Sequence, residues 1–194
     1  MKESLLEDFN YIENYELSED NKRGNKYFLR GVLSRADVVN RNKRIYPRAV
    51  WEDCIREAQP IIENRGLVGE LDHPPTPKIN VERISHVVTK MALAEDGAVI
   101  GELEVISSTL KELMKAKIRL GVSTRGLGQV KPYNGPLGEG LVEVLPGYRL
   151  KALDVVFDPS AGTFPDVVVE DTNIVLGSTK KFREIWEEVF NKND

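Results

Sequence analysis

Residues 120–129 read LGVSTRGLGQ, which places Ser123 between Gly121 and the pair Gly126 and Gly128, with Arg125 two positions on. A serine hydroxyl is a weak nucleophile until a base within hydrogen-bond reach takes its proton, and that base needs a third group to orient it. The chain holds two histidines, so the search for a base is short. His73, in GELDHPP, stands where a short strand pattern meets a proline-rich turn, a strand end with a rigid loop of the kind that carries functional side chains. His86, in ISHVV, falls inside a strand pattern, where packing alone explains it. For the acid, alternation along 148–157 puts Leu150, Ala152, Asp154 and Val156 on one face and Arg149 and Lys151 on the other. A carboxylate on an apolar face is costly unless it is paired or hydrogen-bonded. A histidine would satisfy Asp154, and so would a nearby Lys or Arg or an open strand edge.

The serine motif is G-x-S-x-x-G. It is not the G-x-S-x-G elbow of α/β-hydrolases, and its flanks lack the βαβ order that the elbow requires. No Gly-Lys-Ser/Thr follows at the spacing of a phosphate-binding loop. Read as a glycine-rich turn, the stretch brings backbone N–H groups around Thr124 and Gly126 close to a developing oxyanion, with Arg125 adding positive charge. An ordinary surface arginine at 125 is an equal alternative. Glu70, Asp72, His73 and His86 form the one set resembling metal ligands, but no compact spacing such as H-E-x-x-H is present. Neither a metal nor another cofactor is therefore expected.

The elements that position these groups are legible as strands and a few helices. Residues 26–34 have strand character and run into a polar, turn-like VVNRNKRIYP. Pro47 suits the first turn of a helix carrying Trp51, Cys54, Ile55 and Ala58, and Pro60 is expected to end or kink it. Residues 66–71 form a short strand stopped by DHPPTP. Residues 84–94 and 98–106 read as a hairpin around Glu95-Asp96-Gly97. A capping box at Thr109 and Glu112 opens a helix with Leu110, Leu113, Met114 and Ile118 as its buried stripe. Residues 141–145 and 148–157 are expected to pair around Pro146-Gly147, with Asp158-Pro159 ending the run. Phe182, Ile185, Trp186, Val189 and Phe190 recur as one face of a closing helix. Strands outnumber helices and are not interleaved with them one by one, which predicts an α+β fold.

With 194 residues the chain is expected to hold one main domain. Its organisation is read as a mobile leader or propeptide at 1–25, a catalytic domain at 26–165, and a tail with an amphipathic helix at 166–194. A formal net charge of -4 gives no reason to expect nucleic-acid or membrane-surface binding. No apolar run approaches the ~20 residues of a membrane span. The acidic start lacks a signal peptide pattern, and the single cysteine, Cys54, fits a reducing cytoplasm.

GELDHP around His73, GVSTRGLG around Ser123 and LDVVFDPS around Asp154, in that order, resemble the prohead core proteases of large tailed phages, and NRNKRIYP at 40–47 resembles the segment before that family's first helix. The likeness covers roughly 26–163. It implies a serine endopeptidase that cleaves scaffold or core proteins and the major capsid protein inside an immature phage head, in the host cytoplasm. It implies a small, mostly antiparallel β-barrel flanked by helices, related to the herpesvirus assembly proteases. Carried over, Ser123 is the nucleophile, His73 the base and Asp154 the acid, with His86 open as third member because the herpesvirus enzymes use a second histidine there. The family cuts after glutamate in Leu/Ile-x-Glu and processes itself. Leu5-Leu6-Glu7, Leu17-Ser18-Glu19 and Ile185-Trp186-Glu187 are such triplets in this chain. A homo-oligomer is left open, and a non-enzymatic structural component of the phage head is the alternative reading.

Overall fold

The computed structural model describes residues 4–11, 15–20, 26–118, 120–156, 174–175 and 179–191. Its largest sheet is built on the expected hairpin. β6 (Ile84–Leu93) and β7 (Ala98–Val105) pair antiparallel, and Gly97 at the turn takes a φ of +84°, which glycine adopts without steric cost. β3 (Lys26–Arg35) pairs with the far edge of β7. β5 (Val68–Glu70) pairs with the far edge of β6. The sheet is completed by β2 (Tyr15–Asp20) and β12 (Ile174–Val175), in the order β12-β2-β3-β7-β6-β5.

A second sheet has the order β1-β8-β11, from β1 (Ser4–Tyr11), β8 (Gly121–Gly128) and β11 (Arg149–Val156). The two sheets meet where Leu71, just past β5, bridges Val155 in parallel. A small third sheet joins β4 (Arg44–Ile45), β10 (Val142–Val144) and β9 (Val130–Pro132). The fold is α+β with mostly antiparallel sheets, as expected. Residues 4–11 and 15–20, read from the sequence as part of a leader, supply strands to the two larger sheets.

α1 (Arg48–Glu63) follows Pro47, which stands at its N-cap, and runs three residues beyond Pro60. Pro60 is exposed, so water can replace the backbone bond that the ring removes. The inner stripe Val50, Trp51, Cys54, Ile55, Ala58 and Ile62 enters the main core. Trp51 and Tyr46 pack there edge-on against Tyr148, with ring centroids 6.0 and 5.3 Å away. α2 (Ser108–Lys115) is capped by Ser107, whose hydroxyl accepts from the Leu110 N–H, two residues earlier than the expected box. Ile118 lies beyond the helix and is exposed. The strands at 141–145 and 148–157 do not pair with each other. β10 turns to β9 and β4, while β11 pairs with β8. The Asp158-Pro159 break falls outside the described residues. α3 (Thr179–Trp186) lays Phe182 and Trp186 against Val32, Ala98 and Ile100, so the closing helix packs on the larger sheet.

Candidate active site

Ser123 lies in the middle of a strand, not in a turn. β8 is paired on both edges, with Phe9 of β1 opposite Ser123 on one side and Asp154 of β11 opposite it on the other. Two of the glycines that suggested a turn, Gly126 and Gly128, serve packing. A β-carbon on Gly126 would fall 2.5 Å from the Tyr148 ring, so the bare backbone is what lets that aromatic lie flat on the strand.

Directly paired residues point to one face of a sheet, with their side chains about 5 Å apart. Asp154 and Ser123 are therefore neighbours, and Arg125, two residues along β8, shares their face. Simple alternation put Leu150 on that face too. A β-bulge in β11, between Leu150 and Ala152, changes the parity. Leu150, Leu153 and Val155 enter the main core, while Asp154 turns to the other face with Ala152 and Val156. Re-aiming a side chain beside a functional group is a common use of a bulge.

His73 reaches the same place from the loop after β5. Asp72 adopts a left-handed φ of 70° and donates its N–H to the Val155 carbonyl at 2.8 Å, which turns the chain over the end of β11. His73 Nδ1 then lies 2.8 Å from Asp154 Oδ2. With Nδ1–H donating to the carboxylate, Nε2 is the nitrogen left with a lone pair to take a proton. His73 is 19% exposed and Ser123 4%, so the site is largely shielded from water.

Arg125, read from the sequence as an oxyanion group or a surface residue, is fully buried. Its Nη2 donates to Asp154 Oδ1 at 3.0 Å and Glu70 Oε1 at 3.2 Å, and its Nε stands 3.0 Å from Asp154 Oδ2. Nη1 donates to the carbonyls of Thr76 and Lys78, at 2.6 and 3.3 Å, in the loop that carries His73. Thr124 and Gly126 are buried beside it on the opposite, core-facing side of β8. Removing one partner of a buried ion pair leaves an uncompensated charge, at a typical cost of ~3–5 kcal/mol.

His86, the alternative third member, is also fully buried but is engaged elsewhere. Its Nε2–H donates to the Leu153 carbonyl at 2.7 Å, and Nδ1 is 2.9 Å from the Ser85 hydroxyl. Burial depresses it to about 4, against the opposing pull of the Leu153 hydrogen bond and the Asp154 charge, so the ring is neutral near pH 7. The carboxylate of Asp154, not the ring of His86, meets His73.

Glu70 takes part in the site through its side chain and its backbone. Glu70, considered only as a metal ligand, is fully buried against Arg125, and its N–H donates to Asp154 Oδ1 at 3.0 Å. Among the described residues no group of three or more His, Cys, Asp or Glu is assembled as a metal site. The available signal for Glu70 was an acid in an apolar three-residue strand, the same argument that marked Asp154.

Over residues 5–178 the sequence matches the family described as prohead core protein serine protease. The chain belongs to this family. It is therefore a protease of the prohead core type. It is 31% identical over 161 residues to the prohead core protein protease of Enterobacteria phage T4, covering 78% of this chain and 72% of that protein. Its fold is similar to that of the bacteriophage T4 capsid assembly protease, gp21, with a TM-score of 0.72 and 25% identity. That likeness covers 81% of this chain and all of the solved one. The family match therefore extends beyond the span read from the motifs, into the first strand and toward the C-terminal segment.

Proposed function

We propose that the chain is a serine endopeptidase that cleaves scaffold and major capsid proteins inside the phage prohead during head maturation, within the host cytoplasm. Ser123 attacks the peptide carbonyl, His73 takes its proton through Nε2 and returns it to the leaving amine, and Asp154 fixes the ring and stabilises its protonated form. The observation that carries this reading is the 2.8 Å contact of His73 Nδ1 with Asp154, on a residue register-paired to Ser123. The Arg125 guanidinium is committed to Asp154 and Glu70, and with β8 paired on both edges the backbone N–H groups near Ser123, those of the 124–126 stretch included, become available to an oxyanion only on the edge that β1 leaves. Ser123→Ala is expected to abolish cleavage of scaffold protein while circular dichroism and melting stay as in the parent. A serine-reactive phosphonylating inhibitor should label Ser123 alone. Undiminished cleavage by the variant would overturn the assignment, and unimpaired head maturation with both Ser123→Ala and His73→Ala would favour a purely structural role.

Cleavage after Glu in Leu/Ile-x-Glu and self-processing belong to the same proposal. Leu5-Leu6-Glu7 lies in β1, paired across from Leu127, Gly126 and Arg125. While β1 is in place, β8 is paired on both edges and Ser123 is nearly covered. Cutting after Glu7 would open one edge of β8 to an extended substrate, a strand-addition mode of recognition. Leu17-Ser18-Glu19 lies in β2, and Ile185-Trp186-Glu187 is folded onto the sheet through the buried Trp186. Mass spectrometry of the active enzyme should find a new terminus after one of these glutamates; intact termini would sink the self-processing reading.

A further inference from the structure

The Asp154 carboxylate is held by more than a triad requires. Arg125 donates to it through Nη2 and sets its Nε within ion-pair distance of Oδ2, and the Glu70 N–H adds a further bond to Oδ1. A guanidinium so placed neutralises the charge that would otherwise stabilise a protonated His73. Glu70 compensates, because its carboxylate shares the same Nη2. The three buried side chains carry -1, -1 and +1, which leaves one net negative charge facing His73.

Glu70 also organises the loop. Its Oε1 accepts the Asn80 N–H at 2.8 Å, while Arg125 Nη1 holds the Thr76 and Lys78 carbonyls. The loop from His73 to Asn80 is thus pinned from beneath by one ion pair. The other titratable side chains beside this cluster are Arg83, Asp72 and His86. Arg83 Nε lies 3.4 Å from Glu70 Oε2 and its Nη2 3.7 Å from Asp72, but Arg83 is 38% exposed and Asp72 81%, so water screens both. Glu7 pairs with Arg125 in the backbone register, and His86 is neutral near pH 7.

We propose that Glu70 and Arg125 are positioning residues of the catalytic site, Arg125 tying Asp154 to the His73 loop and Glu70 restoring the single negative charge against which His73 takes up its proton. The inference rests on His73 being the general base and goes beyond it by assigning the source of its electrostatic support.

The test is the isosteric Glu70→Gln, which can keep the hydrogen bonds at Oε1 and removes the charge, paired with Arg83→Gln, which removes the opposing charge from a partly exposed position. Glu70→Gln should lower kcat by about tenfold or more with little change in KM, since the lost interaction strengthens only as His73 becomes charged. The acidic limb of its kcat/KM profile should move down by about one pH unit, the effect of one charge at about 10 Å in a medium of effective dielectric about 20. Arg83→Gln should move the limb the other way, by less. The His73 ring, followed by NMR in the Ser123→Ala background, should show the same two opposite shifts without any need for activity. A limb and ring titration unmoved in folded Glu70→Gln, or shifts of the same sign in both variants, would overturn the proposal. If Glu70→Gln does not fold, the Arg83→Gln titration decides: an upward shift supports the proposal and no shift overturns it. Loss of Ser123-dependent cleavage in the parent protein itself would instead remove the protease mechanism, a separate outcome.

Discussion

Lowering the pH from 7 to 5 should destabilise this protein through His86, a residue outside the proposed triad. Burial pushes His86 from its ordinary 6.5 down to about 4, while the unfolded chain exposes an ordinary histidine. The unfolded state therefore binds the proton first. The stabilisation is fully present above about pH 6.5 and is lost as the pH falls toward 4. Integrating the two titrations between pH 7 and 5 gives a loss of about 2 kcal/mol from this one side chain. The assay is urea unfolding of the Ser123→Ala protein, which cannot digest itself under the proposed mechanism, compared with the same protein carrying His86→Gln. With a urea slope of about 2 kcal/mol per molar, the parent midpoint should fall by about 1 M more than that of the variant over this range. His86→Gln will be less stable at neutral pH, but the comparison uses only the change with pH, in which the carboxylates common to both proteins cancel. Equal pH dependence in the two proteins, or a His86 ring that titrates near 6.5 in the folded state, would refute the reasoning. The consequence reaches the site, because the His86 hydrogen bond holds the carbonyl of Leu153, next to Asp154.

Gly69→Ala should be among the most damaging single-methyl changes, costing about 3 kcal/mol or more, because the added carbon would collide with the Leu153 carbonyl and the His86 ring. Thermal melting checks the stability loss, and a matching fall in kcat would show that the strain reaches Asp154. Cys54 should resist thiol reagents in the folded protein. Burial pushes it from 9.0 to about 12, which lowers the thiolate population near pH 8 by roughly a thousandfold. Labelling monitored by mass spectrometry should therefore track unfolding, and rapid labelling under native conditions would contradict the burial.

The residue types were enough to narrow the chemistry. One serine in a distinctive motif and only two histidines limited the candidates, and an acid within an apolar strand pattern marked Asp154. The hairpin at 84–105 was equally legible, since Glu-Asp-Gly between alternating runs is a local signal that needs nothing from the rest of the chain. The glycine-rich segment misled for a physical reason. Gly121, Gly126 and Gly128 look alike whether a backbone must turn or must admit a neighbour, and at Gly126 and Gly128 the neighbour is Tyr148, just before the paired strand β11. Residues 4–11 carried no usable period, because their pairing is decided by the free edge of β8, more than a hundred residues away.

What the sequence determined by itself was the set of side chains proposed for acyl transfer and the alternating runs that build an α+β fold. Those properties are local, fixed by residue type and spacing. The tertiary structure decided how they meet. The bulge in β11 turned Asp154 away from the core, the left-handed Asp72 brought His73 over it, and long-range strand pairing set Ser123 opposite. It also recast Arg125, an oxyanion group or a surface charge by sequence, and Glu70, a stray ligand, into one buried pair. Burial and desolvation depend on which strands become neighbours, and a charge's role follows from them.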